Sequence, residues 1–151
     1  MTRSERRDGA VPVLGLLVIL AGALLFVAGV ITYATVSSTL ADQHITVADD
    51  ADNFAGQQVS QPWEAYAQAS VIAKHANEMA NGKTYAELPR EDPVRESVMD
   101  ASFLQASLFT SVVAFGVAAL AAGLGIVFVL IGVALRRVSR AARVTPDTAG
   151  G

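Results

Sequence analysis

Two long stretches of this chain contain no charged residue, and they flank everything between them. One covers 11–36 and the other 101–135. A membrane-spanning helix needs about 20 apolar residues to cross a hydrocarbon core of about 30 Å. Both stretches exceed that length. The expectation is an all-α membrane protein: an antiparallel two-helix transmembrane hairpin with a small helical extracytoplasmic domain between the spans. The chain divides into a cytoplasmic tail (1–10), a first span (11–37), an extracytoplasmic segment (38–102), a second span with an outward extension (103–135) and a second cytoplasmic tail (136–151). These features place the chain in a membrane and leave its activity unstated.

Charge sets the orientation. The net charge is −3, but its distribution is uneven. Arg3, Arg6, Arg7, Arg136, Arg137, Arg140 and Arg143 crowd the ends, against Glu5, Asp8 and Asp147. Between the spans the acids dominate, and only Lys74, Lys83, Arg90 and Arg95 oppose them. The positive-inside rule counts arginines close to the span ends. Both termini are therefore expected in the cytoplasm of a multi-pass cell-membrane protein, with the acidic segment outside. A basic start followed by an apolar run also describes a signal peptide. Its apolar region is only about 7–15 residues long, so the reading here is an uncleaved anchor; cleavage would leave one span and the same outer segment.

Small residues pattern both spans. Gly15, Gly22 and Gly29 recur at seven and share one helix face. On the second span Gly116, Ala119 and Gly123 share a face, Ala118 and Ala122 form a small-xxx-small pair, and Gly125 and Gly132 repeat at seven. In lipid, helices associate through close packing, which small residues permit. Gly15, Gly22, Gly29, Gly116, Ala119 and Gly123 are the expected packing residues, although glycine is common in membrane helices anyway. Whether they meet the other span or another subunit is left open. Hydroxyls at Thr32, Thr35 and Thr39 are expected beside Gln105, Ser107, Thr110 and Ser111, with interhelical hydrogen bonds of about 0.6 kcal/mol each. Tyr33 suits the headgroup boundary.

Between the spans, Gln61-Pro62-Trp63-Glu64 starts a helix as cap, N1 proline and first-turn acid. It should end near Asn81, where Gly82 supplies the stop. Ala65, Ala69, Ile72, Ala76 and Met79 fall at helical spacing, and Trp63 and Tyr66 begin a second apolar edge. Thr84 to Glu87 reads as a short capping box. Asp92 before Pro93 reads as an N-cap with proline at N1, opening one helix that runs to about Arg137. Ile45 to Val47 has strand character without an evident partner.

Few residues suggest chemistry. The chain has no cysteine, which removes disulfides, thiolate metal sites and cysteine nucleophiles. Asp49, Asp50, Asp52 and Asn53 cluster oxygen ligands, but the EF-hand register fails and a solvated acidic loop is the simpler reading. His44 and His75 are the only histidines and read as surface residues. No phosphate loop, dinucleotide fingerprint or nucleophile motif is present, and no ionisable residue lies within either uncharged run for a proton or ion pathway. No catalytic, cofactor-binding or metal site is expected, no cofactor and no nucleic-acid partner.

The stretches Gly82-Lys83-Thr84-Tyr85-Ala86-Glu87-Leu88 and Arg90-Glu91-Asp92-Pro93-Val94-Arg95, with 41–56, 101–104 and 107–118, carry a resemblance over about 40–137. The chain resembles small two-span membrane proteins of high-GC Gram-positive bacteria. Members of that group often carry the name aromatic ring-opening dioxygenase. Such an activity implies an iron site built from two histidines and a carboxylate.

Three functions follow as expectations. The first is a non-enzymatic membrane protein acting by association, as an accessory or scaffolding subunit or a small homo-oligomer. Its partners would be the bilayer and a protein, or a second copy, met through the spans. The second is an extracytoplasmic sensing or ligand-binding element. The third is the ring-opening dioxygenase that the resemblance would bring.

Overall fold

The computed structural model describes residues 3–141, with side chains from position 11 onward. Arg143, Asp147 and the rest of 142–151 lie outside the described residues, as do the side chains of Arg3, Arg6 and Arg7. Three helices form among the described residues: α1 (Arg3–Ala41), α2 (Pro62–Met79) and α3 (Arg95–Ala141). Helices α1 and α3 are both long and apolar enough to cross a membrane, with mean hydropathies of 2.9 and 2.7 over their most apolar parts. Helix α1 begins before the expected boundary at 11, so positions 3–10 are helical. Pro12 therefore lies inside α1 instead of in its first turn. The carbonyl of residue 8 loses its helical donor there.

The chain forms two compact units, one with Ile31 as its limit on α1 and Ala118 as its limit on α3, the other covering Thr32–Val117. The first is here called the apolar unit and the second the polar unit. In the apolar unit the only buried described residues are Gly15, Gly22 and Gly29 on α1 and Ala118, Gly125 and Gly132 on α3. Each set recurs every seven residues. Gly15 lies against Gly132, Gly22 against Gly125, and Gly29 against Ala118 and Ala122. Each step of seven up one helix is answered by a step of seven down the other. A strict seven-residue repeat drifts about 20° per heptad on a straight helix, so this seam favours a left-handed wrap.

The polar unit has a side-chain core. Leu40, Val47, Val59, Ala65, Ala69, Leu108 and Phe115 form it, with Tyr33, Val36, Ile45, Ile72, Phe109 and Val112 packed around them. Ile45 to Val47 does find a partner. Val47 N–H donates to the Gln57 carbonyl (2.9 Å) and Val59 N–H to the Ile45 carbonyl (2.8 Å), around a single antiparallel bridge of Thr46 with Gln58. The pairing turns Val47 and Val59 inward, and both are fully buried. The return needs left-handed backbone at Phe54 (φ 61°) and Gly56 (φ 73°). A second, smaller cluster joins Ala80, Leu88 and Val98.

Local signals act in these elements with some changes. Glu64 is buried, and one carboxylate oxygen accepts the Ser60 N–H (2.7 Å), the Ser60 hydroxyl (3.3 Å) and the Gln61 N–H (3.0 Å). That oxygen gathers the loop end onto the start of α2. The helix ends in left-handed Asn81 (φ 51°) and Gly82 (φ 82°). Met79 is exposed, although its spacing placed it on the buried face with Ala65, Ala69 and Ala76. Asp92 caps a turn: its carboxylate accepts the Val94 N–H (3.0 Å), and α3 starts two residues after Pro93. Glu87 accepts both the N–H and the hydroxyl of Thr84, each at 2.8 Å, and so closes a turn with no helix following. The backbone N–H of Thr84 is the main reason the Glu87 carboxyl titrates below its usual value.

Candidate interaction surfaces

The glycines expected to carry helix packing separate into two groups. A Cβ built on Gly22 would lie 2.6 Å from the Gly125 carbonyl oxygen and 2.8 Å from the Val129 nitrogen. One on Gly29 would lie 2.6 Å from the Ala118 carbonyl oxygen, and one on Gly15 would lie 3.0 Å from that of Gly132. These neighbours are backbone atoms and have no rotamer by which to yield. On α3 the expected residues do not meet α1 within one chain, which leaves the other arrangement, contact with another subunit, as it stood. Gly116 and Gly123 have nothing within 4 Å of a built Cβ, and Ala119 is exposed. Residues two apart on a helix point about 200° away from each other. Gly116 and Gly123 therefore face away from the side on which Ala118 and Gly125 pack. Gly125 and Gly132 hold the contact on α3, and the signal that could have found them is their spacing of seven, the same as on α1.

Two of the hydroxyls expected to bond across the spans, those of Thr110 and Ser111, bond within their own helix, as does that of neighbouring Ser38. Ser38 Oγ donates to the Thr35 carbonyl, Thr110 Oγ1 to that of Ala106 and Ser111 Oγ to that of Ser107. Each bonds back onto its own helix, a habit of serine and threonine in helices. One polar tie, between α1 and the start of α2, runs through Gln61. Its side-chain carbonyl accepts the Tyr33 hydroxyl (2.9 Å), and its amide donates to Ser37 Oγ (3.2 Å). The Tyr33 ring tilts against Phe115 with centroids 4.7 Å apart.

Two grooves on the polar unit, among the described residues, bear on association. One, of about 560 Å³, is lined by Phe54, Pro62, Trp63, Tyr66, Val71 and Val112, with Asp50, Asp52 and Lys74 among its polar residues. Tyr66 packs edge-on against Phe109, with ring centroids 5.7 Å apart. The other, of about 360 Å³, runs along Leu104, Ser107, Leu108 and Ser111 of α3, with Leu40 and Ile72 on its far side. Those four α3 positions follow the i, i+3, i+4, i+7 pattern of a helix face that receives another segment.

The acidic loop holds one ionic cluster. Asp50 lies 2.7 Å from His75 Nε2 and 3.7 Å from Lys74 Nζ. The hydrogen bond with His75 is the main reason the Asp50 carboxyl titrates below its usual value. All three side chains are solvated, so this is a surface clasp of loop to α2. His44 stands in left-handed backbone (φ 53°) just beyond α1 and is exposed. Among the described residues, no three His, Asp or Glu side chains gather where they could hold a metal ion. Arg95 lies over the Tyr85 ring at 4.0 Å and donates to the carbonyls of Tyr85 and Leu88.

Compared with protein families, with curated proteins and with solved structures, the chain matches none.

Proposed function

We propose that this is a non-enzymatic integral membrane protein that acts by association, as an accessory or scaffolding subunit or a small homo-oligomer. It spans the cell membrane as an antiparallel hairpin of α1 and α3, with both termini in the cytoplasm and the polar unit outside. Insertion is supported by the exposure of the apolar helices: only 17% of each most apolar window is buried within the protein. A core helix of a soluble protein would bury most of that surface. Orientation is supported by Arg136, Arg137 and Arg140 at one end of α3.

The observation that carries association is on the outer part of α3. The helix has 47 residues, roughly 70 Å of rise where a bilayer core needs about 30 Å. Phe103 and Leu104 lie well outside the span and are 66% and 55% exposed. Large apolar side chains held in water on a rigid helix, with a groove beside them, mark a surface made to be covered.

The test is purification of the tagged full chain in a mild detergent, with particle mass from light scattering and partners identified by mass spectrometry. The expected result is a particle larger than one chain, or one defined partner, lost in Phe103→Glu and Leu104→Glu with helix content intact. A lone chain, or an assembly indifferent to both changes, overturns the reading. Reporter fusions at Arg3, Gly82 and Gly151 should read inside, outside and inside; a cytoplasmic reading at Gly82 overturns the topology.

A further inference from the structure

The polar unit carries a second apolar edge, and its level relative to the bilayer follows from two separate counts. On α1, about 20 residues from Val11 reach Ile31, and polar side chains begin with Thr32 and Tyr33. On α3, about 20 residues back from Arg136 reach Gly116, next to Phe115. The two counts end on Ile31 and Gly116, within two residues of Tyr33 and Phe115, and these rings touch, with centroids 4.7 Å apart. The outer edge of the hydrocarbon is therefore set at this aromatic pair.

Helix α2 starts just beyond it. Gln61 is hydrogen-bonded to Tyr33 and to Ser37, one turn further along α1. Trp63 shares its groove with Val112, one turn outward of Phe115, and Tyr66 packs on Phe109, close to two turns outward. By helical rise these levels are about 4–5 Å and about 9 Å beyond the hydrocarbon edge. The headgroup layer occupies roughly 5–7 Å on each side of the core. Trp63 is 50% exposed and Tyr66 57% exposed. Trp and Tyr are the two side chains enriched at this depth, because one end of each ring system is apolar and the other bonds to water.

We propose that the start of α2 lies in the outer headgroup layer, with Trp63 seated among the phospholipid headgroups and Tyr66 at the aqueous margin of that layer. The polar unit then rests on the lipid by this edge and does not stand clear of it. The proposal rests on the membrane-spanning reading above.

Trp63 is the only tryptophan in the chain, so the unaltered protein carries its own probe. The full chain is reconstituted in phosphatidylcholine vesicles bearing a nitroxide either on the headgroup or deep on the acyl chain. Trp63 emission should be blue-shifted relative to the unfolded chain, lose more intensity to the headgroup label than to the deep label, and be shielded from aqueous iodide. Free quenching by iodide with no loss to either lipid label overturns the proposal. Shielding from both iodide and lipid labels overturns it too, and assigns the edge to a protein partner. A companion protein with Trp63→Phe and Leu20→Trp reports on the span itself. Its emission should be lost chiefly to the deep label. If that holds while Trp63 fails, only the headgroup placement is wrong; if it fails as well, the membrane-spanning reading falls with it.

Discussion

The two units are made by the same two long helices together with one short one, and they are held together by different means. In the apolar unit the buried positions are glycine and alanine, and helix meets helix at the backbone. In the polar unit the buried positions include, beside alanines, the large side chains of Leu40, Val47, Val59, Leu108 and Phe115, and hydrogen bonds join loop and helix. The difference is the one that the proposed membrane insertion would produce. Where the medium is itself apolar, burying a leucine gains little, and close packing of small residues is what remains. Where water is the alternative, each buried large side chain is worth about 1.5–3 kcal/mol.

Substitutions that add or remove bulk should separate the units cleanly. The largest effect is expected from Gly22→Leu or Gly125→Leu. Ordinary overpacking costs about 1–3 kcal/mol, but here the new atoms meet backbone, and relief requires the helices to part. Loss of interhelical packing, followed by thermal melting in micelles, checks this. Gly123→Leu is the contrast: with open space beside it, it should melt as the wild type does. Equal damage from Gly22→Leu and Gly123→Leu would mean that the seam is not where the contacts place it.

Phe115→Ala tests the other kind of packing. It empties a fully buried site and should cost about 3 kcal/mol or more, seen as a lower denaturant midpoint for the polar unit. A leucine at 115 should restore most of the loss. Glu64→Gln should follow at about 1–3 kcal/mol, because three donors then share a weaker, uncharged acceptor in a buried place. Exchange of the Ser60 and Gln61 amide hydrogens should quicken in that variant.

The smallest effect is expected at Asp50. Its carboxyl titrates below the usual value because His75 bonds to its charged form. A depressed value means that the contribution is present above the ordinary carboxylate range and is lost as pH falls through the lowered value. The wild type should therefore be slightly more stable than Asp50→Asn at neutral pH, and the two melting curves should converge on acidification. A difference that persists in strong acid would assign Asp50 a role other than the ionic clasp.

Much of this architecture is legible in the residues. Length and lack of charge announce α1 and α3, and Gln61-Pro62-Trp63-Glu64 announces the start of α2. The face on which α3 packs is not legible, because two sets of small residues lie on opposite sides of that helix. Gly116, Ala119 and Gly123 make as good a stripe as Ala118, Gly125 and Gly132; only the matched repeat on α1 distinguishes them. The pairing of Ile45 to Val47 with Gln57 to Val59 is hidden for another reason. Gln57 and Gln58 carry no strand signal, and the pairing is decided by where Val47 and Val59 are buried. The level of Trp63 and Tyr66 is equally hidden, since it depends on a hydrogen bond from Tyr33 to Gln61 across 28 positions.

The seven-residue repeat of the seam also works as a ruler with identical marks. If α1 slid by one mark along α3, two of its three notches would again find small residues opposite, with a shift of about 10 Å. A seam of this kind is tight, yet by itself it distinguishes its registers poorly. Unique marks are supplied further along the same helices, where Tyr33 meets Phe115 and Leu40 shares a core with Leu108. In the polar unit, by contrast, the marks on the two helices are unlike one another, and each finds its own partner.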